Sequence, residues 1–263
     1  MTSQADRTIS ALRTGHDTLV AFLTTLGPDD LTRTSGASEW TVAQVLSHLG
    51  SGAEINLATL EGALDDTGAP GMDFNKSVWA RWDAMPPAEQ AANFPAADEK
   101  LLMRYEGLDE QTRAGLRIDF GFLPQPVDVA TAAGLRLSES ALHAWDVRAA
   151  FDAAATIAPG ATELLLETIG PLLGFAGKAD QVDGTVSLAV HTTDPTRSFG
   201  LVIADTVTLT DVPESVDGEL TAPAEYVIRL STGRHAPAHT PDSVVLTGDA
   251  VTLDDLRRVF PGY

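Results

Sequence analysis

Residues 135 to 146 read Leu-Arg-Leu-Ser-Glu-Ser-Ala-Leu-His-Ala-Trp-Asp, and this segment decides the interpretation of the fold. It lies in an alanine-rich stretch from about Val127 to Ala155, a composition that favours helix. Glu139 and His143 are four residues apart and are therefore neighbours on one helix face. The same face carries Ala132, Leu135, Leu142, Asp146, Ala150 and Ala153. The pattern predicts a carboxylate and an imidazole directed towards the core.

Helical periodicity extends to about residue 178 and then gives way to strands. The other predicted helices lie around Ile9–Leu23, Val42–Leu49, Val78–Trp82, Leu101–Leu116 and Ala161–Ala176. From Gly184 onward the alternation of apolar residues predicts half-buried strands, with a helix at Ala222–Leu230, a strand at Ser243–Leu246 and a last helix at Val251–Val259. We therefore predict a two-domain α+β protein, with a helical bundle in residues 1–157 and a small α+β domain in residues 158–263.

The composition excludes several classes of function. The chain has 17 basic and 37 acidic residues and a formal charge of −20, which argues against nucleic acid and anionic membranes as partners. We find neither an apolar run long enough to span a membrane nor a signal-peptide core at the start, so we expect a cytoplasmic protein. The absence of cysteine excludes disulfide scaffolds, thiolate metal sites and a cysteine nucleophile.

A second helix is predicted to begin after Thr41, because Thr-Val-Ala-Gln forms a capping box in which Thr41 and Gln44 bind each other's backbone amides. From that start His48 falls on the apolar stripe, and Gly52 leaves space beside it one turn later. A hydrogen bond in the core is sufficient to explain such a histidine when it is considered alone.

A purely structural role also explains Glu139 and His143, since an ion pair between the two side chains would offset the cost of burying the carboxylate. Two histidines and one glutamate are, however, a known ligand set for catalytic zinc with a fourth position open. We therefore regard His48, Glu139 and His143 as candidate metal ligands. Asp146, one turn after His143, is either a carboxylate that orients this imidazole or an ordinary helix carboxylate.

The two motifs together resemble a known family. Trp40-Thr-Val, Val45-Leu46 and His48-Leu49 are followed about ninety residues later by Glu139-x-x-x-His143-x-Trp-Asp-Val, as in the mycothiol-dependent maleylpyruvate isomerase family. The resemblance implies a DinB-like four-helix bundle followed by a small α+β domain. It also implies a divalent metal, usually zinc, held by His48, Glu139 and His143, with the small thiol mycothiol as cosubstrate.

The leading hypothesis is a metal-dependent enzyme that uses this external thiol on a small electrophile, as a cis–trans isomerase or an S-transferase. One alternative is a metal-dependent hydrolase that needs no thiol, in which Asp146 would be the nearest candidate for a base. The other is a non-catalytic module that binds a metal or a ligand. Trp79 and Trp82, three residues apart, are interpreted as core residues rather than as a platform for a ligand.

An arginine is also expected in the site, because the resemblance implies that the C-terminal domain closes over the metal and contributes one. Arg229 lies in the predicted helix Ala222–Leu230 with Tyr226, whereas Arg234 follows a glycine in a predicted loop. We prefer Arg229, since a planar guanidinium binds a carboxylate through two hydrogen bonds. The alternative is a surface arginine that the dipole of the helix favours near its C-terminus.

Overall fold

The structure, a computed structural model, describes residues 3–37 and 39–262. It divides the chain into two compact units, Met1–Phe151 and Asp152–Tyr263, whereas the sequence placed the division after residue 157. Helices come first and a mixed sheet follows, so the predicted α+β class is confirmed.

The first unit is built around four long helices. Its elements are α1 (Gln4–Leu23), α2 (Val42–Leu64), α3 (Gly71–Asp83), α4 (Pro87–Glu106), α5 (Glu110–Gly115), β1 (Arg117–Ile118), β2 (Val127–Asp128) and α6 (Val129–Ala149). Helix α2 packs against α4 and α6, and α1 packs against the same two helices, so these four close a bundle. Helix α3 packs on α2, and β1 pairs with β2 in antiparallel fashion just before α6.

The single helix predicted around Leu101–Leu116 is wrong. Helix α4 already begins at Pro87, because a proline in the first turn loses no helical hydrogen bond. It ends at Glu106, and Asp109 then starts the separate helix α5 by accepting a hydrogen bond from the amide of Thr112 at 2.7 Å.

The second unit contains a five-stranded sheet with helices packed on it. Its elements are α7 (Pro159–Glu167), α8 (Ile169–Ala176), β3 (Val186–Thr193), β4 (Arg197–Ile203), β5 (Val207–Thr210), β6 (Gly218–Pro223), α9 (Ala224–Ser231), β7 (Val245–Thr247) and α10 (Leu253–Val259). The strand order is β5-β4-β3-β6-β7, and only the β3–β6 pair is parallel among these strands. The helix predicted for Ala161–Ala176 is two helices, because Pro171 has no N–H to donate to the carbonyl of Glu167.

Candidate metal centre

Two helices of the first unit carry the candidate ligands. The capping box at the start of α2 forms as predicted: the amide of Thr41 donates to Oε1 of Gln44 at 2.8 Å, and Thr41 Oγ1 accepts from the amide of Gln44 at 3.3 Å. Asp128 caps α6 by accepting a hydrogen bond from the amide of Thr131 at 2.8 Å. These caps fix where each helix starts and therefore which side chains face the neighbouring helix.

The structure brings His48, Glu139 and His143 together. Nε2 of His48 lies 2.9 Å from Oε2 of Glu139, and Nε2 of His143 lies 3.6 Å from the same oxygen. One ligand atom from each residue can be chosen so that all three lie within 4.8 Å of one another. Four atoms at zinc-binding distances around a tetrahedral ion are about 3.4 Å apart. The spacing and the donor set therefore fit a divalent metal.

This face of α6 borders an opening rather than a sealed core. The side chains of His48 and Glu139 are 37% and 43% exposed, and Leu135 on the same predicted stripe is also exposed. The expectation that the whole stripe points into the core is thus wrong at Leu135. Partial exposure leaves room for a water molecule or substrate beside the three ligands, as a catalytic metal site requires.

Glu139 is held in its charged form. Burial by itself raises the pKa of this carboxyl, but the contacts that His143 and His48 make with it when they are protonated bring the pKa well below its usual range. A carboxylate and two imidazoles that already converge are suited to bind a cation, since ligands must lose their protons before they bind.

Asp146 contacts the ligand set through His143. Its carboxylate is fully buried, and Oδ2 lies 2.8 Å from Nδ1 of His143. A neutral imidazole that donates from Nδ1 carries its lone pair on Nε2, which is the nitrogen on the side of Glu139. This is the contact with which carboxylates orient metal-binding histidines in many proteins.

Comparison with known proteins identifies the family. Residues 12–148, which make up more than half of the chain, match the family model described as the mycothiol maleylpyruvate isomerase N-terminal domain. The chain belongs to this family. All three candidate ligands and Asp146 lie inside the matched range, whereas Arg229 lies outside it.

Solved structures extend the likeness beyond the matched domain. The crystal structure of the mycothiol-dependent maleylpyruvate isomerase and that of one of its histidine-to-alanine mutants each have a TM-score of 0.65 and 14% sequence identity to this chain. Each match covers 95% of this chain and 98% of the other, so the fold is shared over nearly the full length. No curated protein matches this chain significantly. Within residues 3–37 and 39–262 we find no helix with the length and hydropathy needed to cross a bilayer.

Trp40 lies beside the ligands of this isomerase-family chain. Its ring centroid is 5.0 Å from that of His48 and 5.8 Å from that of His143, and it is stacked on the latter at an interplanar angle of 28°. The sequence puts Trp40 and Val45 at the positions of a hydrophobic staple, but it does not predict the contact of Trp40 with the two imidazoles. Its position directly before the capping box was the available signal, because the residue preceding a cap packs back on its helix.

A buried ionic cluster supports the two ligand-bearing helices, and the sequence did not reveal it. Nη2 of Arg136 donates to the carbonyl of Leu49 at 2.9 Å and to Oδ1 of Asp98 at 2.6 Å. His16 approaches the other oxygen of Asp98 at 2.8 Å. Burial raises the pKa of Asp98, but the charge of Arg136 and the hydrogen bonds from His16 and Arg136 hold it below its usual range.

Arg229 lies on α9 in the second unit. Its Nε and Nη2 donate to the two carboxylate oxygens of Glu225 at 2.7 and 2.8 Å. Its Nη1 donates to the carbonyls of Arg234 and His239, each at 3.0 Å. The side chain is therefore buried in a bidentate ion pair. It is not the surface arginine that a favourable helix dipole alone would explain.

Proposed function

We propose that this protein is a metal-dependent isomerase-like enzyme that uses mycothiol, an external thiol, on a small electrophile. The observation that carries the proposal is the convergence of His48, Glu139 and His143 in a chain of the maleylpyruvate isomerase family. Two neutral imidazoles, one carboxylate and no thiolate are a ligand set typical of catalytic zinc, so zinc is the proposed metal. The solved structures support the same class of enzyme through their shared fold.

The chain itself provides no sulfur nucleophile, since it contains no cysteine. A divalent ion bound by two neutral histidines and one carboxylate keeps about one positive charge and stabilises a thiolate at neutral pH. The chain's own residues orient this site: Asp146 fixes the tautomer of His143, and Trp40 packs against both imidazoles. Asp146 is fully buried, a position that suits orientation better than the proton abstraction required of a base in the hydrolase alternative.

In the isomerase reaction the thiolate sulfur forms a bond to one carbon of a cis double bond conjugated to a carbonyl, and the π electrons move to the carbonyl oxygen. Rotation about the resulting single bond and elimination of the thiolate then give the trans product, with the thiol regenerated. An S-transferase would keep the new carbon–sulfur bond. The proposed ligand set is compatible with both outcomes, which differ in whether the thiolate is eliminated.

Turnover is expected to require an added low-molecular-weight thiol. In thiol-free buffer the metal-loaded enzyme should consume no electrophile, and mycothiol should restore the rate, because the chain has no sulfur nucleophile of its own. Loss of the cis isomer can be followed by absorbance with and without mycothiol. Full turnover in thiol-free buffer would contradict the proposal and favour the hydrolase.

We also propose that Arg229 binds a carboxylate group of the electrophile, which would replace the carboxylate of Glu225 on the buried guanidinium. Arg229→Ala is expected to leave metal content unchanged and to lower kcat/KM for a carboxylate-bearing substrate by about 1.5–3 kcal/mol, because a charge-assisted hydrogen bond is lost. Steady-state kinetics and metal analysis of the purified variant measure both effects.

Glu225→Gln is the matched control for this experiment, since it breaks the ion pair and keeps the arginine. Both variants are expected to lower the melting temperature, but only Arg229→Ala should lower kcat/KM. Equal kinetics in the two variants would show that Arg229 is structural. A large loss with Arg234→Ala instead would transfer the role to that residue.

A further inference from the structure

A cavity of about 510 Å³ lies beside the candidate metal centre, on the side where α2 faces α3. Its lining residues all belong to the first unit and are Trp40, Gln44, His48, Ser51, Trp79 and Asp83. His48 is the residue that the cavity shares with the ligand set. A molecule bound here would therefore have one end beside the reacting group and the rest against the tryptophans.

Both tryptophans that line the cavity, Trp40 and Trp79, are partly exposed. Trp79 is 40% exposed, whereas Trp82 three residues later is buried against Gly50, where any added Cβ would clash with the indole ring. The interpretation of Trp79 as a core residue is thus wrong, and that of Trp82 is confirmed. Trp82 also donates from Nε1 to Glu54 at 3.0 Å, so α3 is held against α2 and the position of Trp79 is fixed.

The polar residues Asp83 and Gln44 are exposed in the cavity, and each has an atom that a bound molecule can reach. Asp83 accepts one bond through Oδ1, from Ser47 at 3.3 Å, and its Oδ2 has no hydrogen bond to any residue that the structure describes. Gln44 uses Oε1 in the capping box, and its Nε2 makes no hydrogen bond within the described ranges. The cavity therefore offers a carboxylate acceptor and an amide donor between indole faces.

The charge of the lining selects against anions. Among the described residues that line it, Asp83 is the acidic one and none is a lysine or an arginine. The nearby Arg81 is paired with Glu54. A carboxylate group bound next to Asp83 would face a like charge, and no lysine or arginine among the described lining residues offsets it, which disfavours it there. A neutral ring with several hydroxyl groups fits better, since its C–H faces pack on tryptophan while its hydroxyls bind carboxylate and amide groups.

We propose that this cavity binds the neutral polyol part of the thiol cosubstrate, with Trp79 and Asp83 determining specificity. This inference rests on the proposed function and adds to it the chemical class of the group held next to His48. The sugar-like part of mycothiol belongs to this class. The electrophile is then recognised outside this cavity.

Direct binding to the whole protein tests the proposal without turnover. The probe is N-acetylglucosaminyl-inositol, a neutral polyol without a thiol, titrated calorimetrically into protein that has been treated with a chelator. Trp79→Ala and Asp83→Ala are each expected to weaken its binding about ten-fold, through loss of an aromatic face or a hydrogen-bond acceptor. Trp79→Ala should also raise the KM for mycothiol by a similar factor and leave kcat unchanged.

Two matched controls lie on the same helix outside the cavity. Phe74 is 38% exposed and Asp73 is an exposed acid, so Phe74→Ala and Asp73→Ala are expected to change neither binding nor KM. The amine-bearing probe glucosaminyl-inositol tests for a cation site instead. Binding of this amine alone, and not of the neutral probe, would overturn the proposal in favour of a cation bound by Asp83.

The outcomes separate this proposal from the proposed function. Binding of the neutral probe with the expected losses, in a protein that shows no thiol-dependent turnover, supports the cavity and refutes the function. The opposite result is thiol-dependent turnover in which Trp79→Ala leaves the KM for mycothiol unchanged. It would overturn the assignment of the cavity and would not affect the proposed function. No binding of the neutral probe would also overturn this assignment.

Discussion

Alanine at His48, Glu139 or His143 is expected to remove the bound metal and with it the activity. Each change deletes one of the three proposed ligands, and we expect the remaining two not to hold a divalent ion against dialysis. Metal content per protein, measured by mass spectrometry after dialysis, should fall from about one to near zero. Asp146→Asn should lie in between, with metal affinity about 10- to 100-fold weaker, because the hydrogen bond that orients His143 is altered.

His191→Ala is the control for this series. His191 lies on β3 in the second unit and pairs with Ser198, so its loss should leave the metal content unchanged. Full metal content in His48→Ala would show that the ligand set has been assigned wrongly. Circular dichroism on each variant establishes that the bundle is still folded when the metal is measured.

Arg136→Met is expected to destabilise the protein by about 3–5 kcal/mol, because it leaves a buried carboxylate without its cation. Arg136 and Asp98 are both buried, and the carbonyl of Leu49 would lose the same partner. Urea denaturation of the full chain, followed by far-UV circular dichroism, measures the loss as a lower unfolding midpoint.

Arg104→Met is the matched control, since Arg104 pairs with Glu61 on the surface at 2.8 Å and exposed pairs contribute about 1 kcal/mol or less. Combining Arg136→Met with Asp98→Asn should recover part of the stability, because a neutral amide is cheaper to bury than a carboxylate. If Arg136→Met cost no more than Arg104→Met, the buried cluster would not be an important source of stability.

The candidate ligands could be predicted from sequence because their arrangement is mostly local. Glu139, His143 and Asp146 share one face of one helix, so helical spacing alone makes them neighbours. The capping box at Thr41 fixes the phase of α2 and thereby the direction of His48. The step across two helices rests on the donor set of two histidines and one glutamate and on the family resemblance, since periodicity does not say which helices pack together.

The features that sequence reasoning missed depend on distant contacts or on helix ends. Arg136 and Leu49 are 87 residues apart, and His16 and Asp98 are 82 apart, so no local pattern connects them. The helix ends at Pro87 and Pro171 depend on which backbone N–H groups a proline removes, which apolar periodicity does not reveal. The prediction for Trp79 is wrong for another reason. Helix α3 buries one stripe, which includes Val78 and Trp82, and Trp79 lies outside this stripe.

The hydrogen bond from Arg136 to the carbonyl of Leu49 links the ligand-bearing helices without using a ligand atom. It fixes α2 and α6 against each other close to the candidate ligands. Leu49 directly follows His48 on α2, and Arg136 lies three residues before Glu139 on α6. The entropy lost in bringing the ligands together is therefore part of the folding of the bundle, not of ion uptake. In zinc fingers the apo chain is unfolded and the metal drives folding. Here we expect the metal-free protein to stay folded and to keep His48, Glu139 and His143 close together.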